Sequence, residues 1–199
     1  FDDGVCSITG YNGNEKEIVI PKTIKKGWKV YTVQIIGTTA FLGRTDLKSV
    51  EIPDSVRGIW PSAFAGCSGL TEIELPKGLK GIDDAAFDAC SSLTSIKIPD
   101  GVTEIGESAF SGCSSLTSIE LPYSVTEIGQ SAFEDCSSLT SIEIPSGVTN
   151  IGRQAFEGCS SLTSIVIPGS VTRIAANAFY RCESLADIEI QKGVKELGE

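Results

Sequence analysis

Cysteine is the first residue type here that invites chemistry, because it recurs at a fixed interval. Cys67, Cys90, Cys113, Cys136, Cys159 and Cys182 each lie 23 residues from the next, and Cys6 stands apart near the start. Thiols can form disulfides, hold a metal or act as nucleophiles. Metal spacing is absent: no Cys-x-x-Cys occurs, and the chain has no histidine to complete a zinc site. The same lack removes the usual general base for a serine or cysteine nucleophile. Identical slots in successive units point instead to stacked, buried free thiols, with a disulfide involving Cys6 as the alternative. Carboxylates come second. The pair Asp83-Asp84 could in principle run acid–base chemistry, but a stacked surface offers no water-excluding cleft, and a solvated loop is the reading taken. No catalytic residue, metal ligand or cofactor site emerges, and the chain reads as a non-enzyme.

The cysteines belong to a longer repeating phrase, cleanest from Cys113 to Phe133. Self-similarity at a period of 20–50 residues marks a stacked architecture. Aligning on Leu47, Leu70, Leu93, Leu116, Leu139, Leu162 and Leu185 gives six complete units and a partial seventh. Each leucine opens a Leu-x-x-Ile-x-Ile phrase, as in Leu93-Ile96-Ile98, whose apolar positions alternate with polar ones as in a half-buried strand. Proline ends that strand at Pro53, Pro76, Pro99, Pro122, Pro145 and Pro168, since it cannot donate to a ladder. A Gly or Ser two residues on suits a turn, and Val-x-x-Ile, as in Val125 to Ile128, suits a short extended return. The Ser-Ala-Phe stretch after it is expected to make one helical or 3₁₀ turn. Phe41, Phe64, Phe87, Phe110, Phe133, Phe156 and Phe179, each beside an alanine, should form a continuous buried stack.

The expected fold is a leucine-rich repeat solenoid, mostly β: a right-handed superhelix with a parallel concave sheet and short convex extended or 3₁₀ segments. Residues 1–199 read as one domain, with 1–35 a β-rich N-terminal cap and 36–199 tandem 23-residue repeats, the last incomplete. The chain begins at Phe1, has no methionine and stops in mid-phrase at Glu199, so it reads as an excised piece of something longer, its signal peptide and anchor outside.

On the expected concave face, the residue between the two strand isoleucines points outward. That column reads Glu51, Glu74, Lys97, Glu120, Glu143, Val166 and Glu189, and Glu72 and Asp187 stand out in the column two positions earlier. Two readings compete. The acidic stripe can be a footprint for a basic partner or divalent cations, or it can keep a long parallel sheet soluble and unpaired. Lys97 and Val166 interrupt it, which argues against a regular cation ladder. The run Ser-Ser-Leu-Thr-Ser should bond loop backbone between coils. Among aromatics that break the pattern, Trp28 is expected to pack against the cap or a neighbouring loop. Trp60 and Tyr123 are left as either interface anchors or loop packing.

Net charge is −10, with residues 1–50 about neutral and the remainder strongly acidic. Such a surface repels phosphate backbones and anionic membranes, so neither nucleic-acid binding nor membrane insertion is expected.

At this level of detail the chain resembles the BspA-like, 23-residue class (Treponema pallidum-type) of leucine-rich repeat surface proteins. The matching features are the Ala-Phe and Cys-Ser-Ser-Leu signatures, the segment Val5 to Tyr11, and Ile20-Pro21. The departures are Arg44 for the first cysteine, Gln191 for the last proline, and Trp60 and Asp83 for a loop glycine. The resemblance implies a secreted or cell-surface protein of host-associated bacteria or some protozoa, linked to adhesion. It implies no catalytic residue and no particular ligand. The expected function is therefore a protein-binding or adhesion module using the acidic concave face, with Tyr123 and Trp60 as further contacts. Its partner would be an extracellular or host-cell protein, and its oligomeric state stays open. A structural spacer and a glycan-binding module relying on Trp60 or Tyr123 are the alternatives.

Overall fold

A 23-residue unit too short to bury its own apolar residues must lean on its neighbours, and the structure is built on that dependence. The computed structural model describes residues 4–198. Among them no helix forms: the chain is a mostly-β solenoid of parallel strands around one apolar column running from Cys6 to Ala178. The cap comprises β1 (Val5–Ile8), β2 (Glu17–Val19), β3 (Thr23–Lys26) and β4 (Lys29–Ile36). Strand β4 pairs in parallel with β1 and antiparallel with β3. Both coil ladders start from the cap. Residues of β2 pair with Ser49–Glu51, and Ile35 and Ile36 of β4 pair with Gly58 and Ile59.

The Val-x-x-Ile returns form the unbroken ladder. From Gly58–Ile59 it passes through bridges at Ile82 to Glu104–Ile105, Glu127–Ile128, Asn150–Ile151, Arg173–Ile174 and Glu196–Leu197. The Leu-x-x-Ile-x-Ile strands, expected as one sheet, are joined in three pieces. Ser49–Glu51 pairs with Glu72–Glu74, Ser95–Lys97 with Ser118–Glu120, and Ser164–Ile167 with Asp187–Ile190. The rung at the mouth of each strand runs slightly longer where pairing lapses: the N–H of Thr71, Thr117 or Ala186 meets the carbonyl of the coil before at 3.2, 3.0 and 3.1 Å, and that of Thr94, Thr140 or Thr163 at 3.5, 3.3 and 3.4 Å. The hydroxyls of Thr117 and Thr140 add bonds to the preceding coil, as do Ser137 and Ser160.

The Ser-Ala-Phe segment makes neither the helical nor the 3₁₀ turn expected of it. Two residues per coil adopt positive φ, such as Ser62 and Gly66, Ser108 and Gly112, or Ser131 and Asp135. These left-handed residues interrupt any helical run and turn alternate N–H groups toward the next coil. Ser108, Phe110 and Gly112 thus donate to Gln130, Ala132 and Glu134 at 2.8, 2.9 and 2.7 Å. A non-glycine residue in this region costs about 1–2 kcal/mol, which these short inter-coil bonds offset.

Phenylalanine packs the centre of the same turn. Consecutive rings from Phe41 to Phe179 stack nearly parallel, with centroids 5.1–5.6 Å apart. Each repeat thiol donates to the backbone carbonyl of the phenylalanine in the coil before: Cys67 to Phe41, Cys113 to Phe87 and Cys159 to Phe133, at 3.1–3.3 Å. All seven cysteines are free, Cys6 included. The position 26 residues before Arg44 is Ile18 of β2, not a turn phenylalanine, and Arg44 lies over the Tyr11 ring, bonds the Glu15 carbonyl at 2.9 Å and pairs with Asp46. Gln191, in place of proline, supplies an N–H to Ile167 that proline would lack.

Removing one stacked ring, as in Phe110→Ala, should cost about 3–5 kcal/mol by denaturant titration. Hydrogen exchange should quicken in the coils touching residue 110 and stay slow at the cap, since each coil rests only on its neighbours.

Burial raises the repeat thiols' pKa. Cys67 and Cys182 are pushed up to about 11 and Cys113 to about 12, while Cys90, Cys136 and Cys159 go well above the ordinary range. The folded chain therefore keeps protons that the unfolded chain releases near about pH 8.5. This stabilisation is complete below that pH and is lost as pH rises toward the folded values. The urea midpoint should hold steady near neutrality and fall steeply above about pH 9. Thiol reagents should react slowly with the native chain and count all seven in non-reducing denaturant; fewer than seven would reveal a disulfide.

Candidate functional site

The outward columns of the strand face are where side chains are free to meet a ligand. Strand alternation buries Val50, Ile73, Ile96 and Ile119 and leaves Glu51, Glu72, Glu74, Lys97 and Glu120 exposed. Register places Glu51 beside Glu74 and Ser49 beside Glu72, so three carboxylates converge on two adjacent strands. The next strand pair sets Lys97 beside Glu120. Their charged atoms lie 3.9 Å apart, with both side chains about four-fifths exposed, a solvated pair worth little to stability.

A groove of about 840 Å³ runs across these coils, from Ser49 to Asp100. Glu51, Glu72 and Glu74 stand along it with Lys97, and Lys77 and Asp100 complete its charged lining. The structure thus gathers four of the residues singled out from sequence. Glu120 adjoins them through Lys97. Glu143 lies further along, at a coil without strand pairing, and Glu189 sits in the exposed last coil beside Val166.

Lys77 and Asp100 were missed by reading the strand columns alone. Each directly follows the strand-ending proline, a column that reads Asp54, Lys77, Asp100, Tyr123, Ser146, Gly169 and Lys192. Its changing identity against an otherwise constant phrase was the available signal. Tyr123 continues this rim and is 76% exposed.

Trp60 belongs elsewhere. It follows Ile59 of the return ladder, its N–H bonds the Ile36 carbonyl, and its ring lies beside Gly58. It occupies a column where glycine normally lets backbones approach. A Cβ at Gly106, Gly129 or Gly152 would meet the coil before at 2.5–2.7 Å. Trp60 and Asp83 stand in place of that glycine, and a second depression of about 240 Å³ opens beside Pro61, Asp83 and Gly106. Burial, and then the charge of Asp84, hold the Asp83 carboxyl above its usual range. Asp84 itself accepts the Glu107 N–H at 2.8 Å, which ties it to the backbone of the next coil.

The Trp28 expectation fails. Far from packing on the cap, Trp28 is 89% exposed at the turn between β3 and β4.

A family comparison agrees with this architecture. The BspA-type leucine-rich repeat region, in six copies, matches residues 11–114, 34–163 and 80–199. The chain belongs to that family. Among solved structures, a T. pallidum leucine-rich repeat protein is 38% identical at a TM-score of 0.83, the match covering 92% of this chain and 84% of that one. A leucine-rich repeat protein from Eubacterium ventriosum is 25% identical at a TM-score of 0.60, over 76% of this chain and 45% of that one. No curated protein matches.

Proposed function

We propose that this BspA-type domain is a non-enzymatic protein-binding module of a secreted or cell-surface protein, serving adhesion through its acidic strand face. The observation that carries the reading is the groove in which Glu51, Glu72 and Glu74 converge on a rigid two-strand platform. Like charges directly opposite one another are mildly unfavourable in a sheet. A fold that needed only solubility could spread them, whereas here they meet at one place. Exposed carboxylates above an apolar floor suit a basic protein segment: they steer its approach and fix its register. The aromatic Tyr123 on the rim offers the kind of anchor that interfaces favour. A leucine-rich repeat stack is a continuous surface with no water-excluding cleft, and partner recognition is what such surfaces support.

The test is binding of the domain to immobilised extracellular-matrix proteins and glycans, beside a variant with Glu51, Glu74, Glu120 and Glu143 all changed to lysine. We expect salt-sensitive binding to a basic protein partner, weakened at least tenfold in the variant. All four side chains are exposed, so the variant's thermal unfolding should remain close to the parent's. Binding that survives charge reversal but is lost in Tyr123→Ala would indicate a sugar-stacking site instead. No binding by either form would leave the domain as a spacer.

A further inference from the structure

The cap carries a second charged surface, opposite in sign to the groove. From Ile18 to Thr45 the chain contains no Asp or Glu, yet it holds Lys22, Lys25, Lys26, Lys29 and Arg44 in a protein of net charge −10. Four of these lysines lie on or beside the β3–β4 hairpin, and all four are exposed. Its two-residue turn is Gly27-Trp28, with Gly27 at φ 63°. Glycine at the first central position is the signature of a tight hairpin turn matched to strand twist. The second position, freed of packing duties, holds a tryptophan.

The tip is therefore an indole 89% exposed, flanked by Lys26 and Lys29, with Lys25 paired to Val30, itself 53% exposed. A lone exposed aromatic is ordinary on a protein surface; what sets this one apart is its place at the tip of a projecting hairpin among exposed lysines.

Three kinds of partner would suit an aromatic-cationic tip, and the geometry separates them. A protein interface needs roughly 800 Å² from each side, and one indole with one valine on a projecting hairpin falls well short. A carbohydrate site needs a free ring face and planar polar groups for sugar hydroxyls. Here the Lys29 ammonium lies over the indole at 5.2 Å, and residues 21–31 include no Asn, Gln, Asp or Glu. A membrane surface needs neither. It takes an indole at headgroup depth and lysines whose stems lie along apolar surface while their charges meet anionic headgroups.

We propose that the β3–β4 hairpin tip is a docking element for an anionic lipid surface, with Trp28 entering the headgroup layer and Lys25, Lys26 and Lys29 neutralising lipid charge. This departs from the whole-chain expectation of membrane repulsion. The acidic coils do repel such a surface, but screening limits their reach to about 8–10 Å at ordinary salt, so the molecule would dock cap-first. It would do so peripherally: among the described residues no helix is long and apolar enough to cross a membrane.

The experiment is vesicle flotation of the whole chain in about 0.1 M salt, with phosphatidylglycerol–phosphatidylcholine vesicles against phosphatidylcholine alone. We expect flotation with the anionic vesicles only. Changing Lys25, Lys26 and Lys29 to Gln should weaken partitioning roughly a hundredfold, at about fivefold per lysine. Trp28→Ala should weaken it several-fold, and the groove charge-reversal variant should not weaken it. In a Trp60→Phe background, Trp28 fluorescence should shift to the blue on anionic vesicles. No flotation, flotation indifferent to Trp28, or retention on a sulfated glycan column through the same lysines without vesicle binding would each overturn the proposal.

Discussion

The whole molecule depends on one contact: the seat of each phenylalanine turn on the turn before it. There the rings stack, the Phe N–H meets an alanine carbonyl of the next coil, and the Phe carbonyl receives a thiol from the coil after. These bonds leave room only for a methyl beside the ring, which is why Ala63, Ala86, Ala109, Ala132 and Ala155 are wholly buried. They also require a small, weakly donating side chain at the carbonyl, which cysteine supplies without demanding a second partner. Larger polar groups would bring hydrogen bonds that this dry seat cannot satisfy. The left-handed residues belong to the same requirement. A helical turn would close its N–H groups on itself, whereas this turn spends them on the neighbouring coil.

Because cohesion is concentrated at that turn, the opposite strand edge is released from it. The strand ladder can lapse at residues 141–143 without any break in the return ladder or the ring stack. Its outward columns and the position after each proline then vary at little cost. Recognition surfaces form most readily where identity is free and geometry is not, and here both hold together. The groove from Ser49 to Asp100 lies where the ladder is joined to the cap through β2, so Glu51, Glu72 and Glu74 stand on strands tied to the cap.

Most of this was legible in the sequence, for a reason rooted in the repeat. A position that returns every 23 residues with the same identity faces the same environment each time, so Phe110 and Cys113 declared their burial seven and six times over. The conformation of the turn was not legible. Ser-Ala-Phe has no glycine at its first left-handed position, and serine or glutamine there gives no local warning that inter-coil bonds will override propensity. Sheet continuity was equally hidden, since the same Leu-x-x-Ile-x-Ile phrase pairs at Ser118–Glu120 and lapses at residues 141–143. At the site, the strand column yielded Glu51, Glu74 and Lys97, but Lys77 and Asp100 sit past the proline, where a reading confined to strand periodicity does not look. Trp28 was misjudged because the cap is met only once; without repetition, a tryptophan next to β-rich residues reads as core.

The distribution of charge ties these features together. Acid dominates the coils and base the cap, and the two meet near one end of the stack: Val19 of β2 lies beside Glu51, while lysines crowd the hairpin that follows. Along the acidic column the field is strongest at Glu51, Glu72 and Glu74 and is then broken, first by Lys97 and later by Val166. A purely solubilising column would gain from even spacing along the whole sheet, since each added carboxylate protects only its own neighbourhood within a Debye length. The groove, with its cluster of three carboxylates, and the exposed tryptophan both fall within the cap and the first few coils. The later coils repeat the core phrase and offer few departures from it. The capped end is thus where both proposed encounter surfaces lie, the acidic groove and the basic hairpin tip, with the remaining coils extending from it.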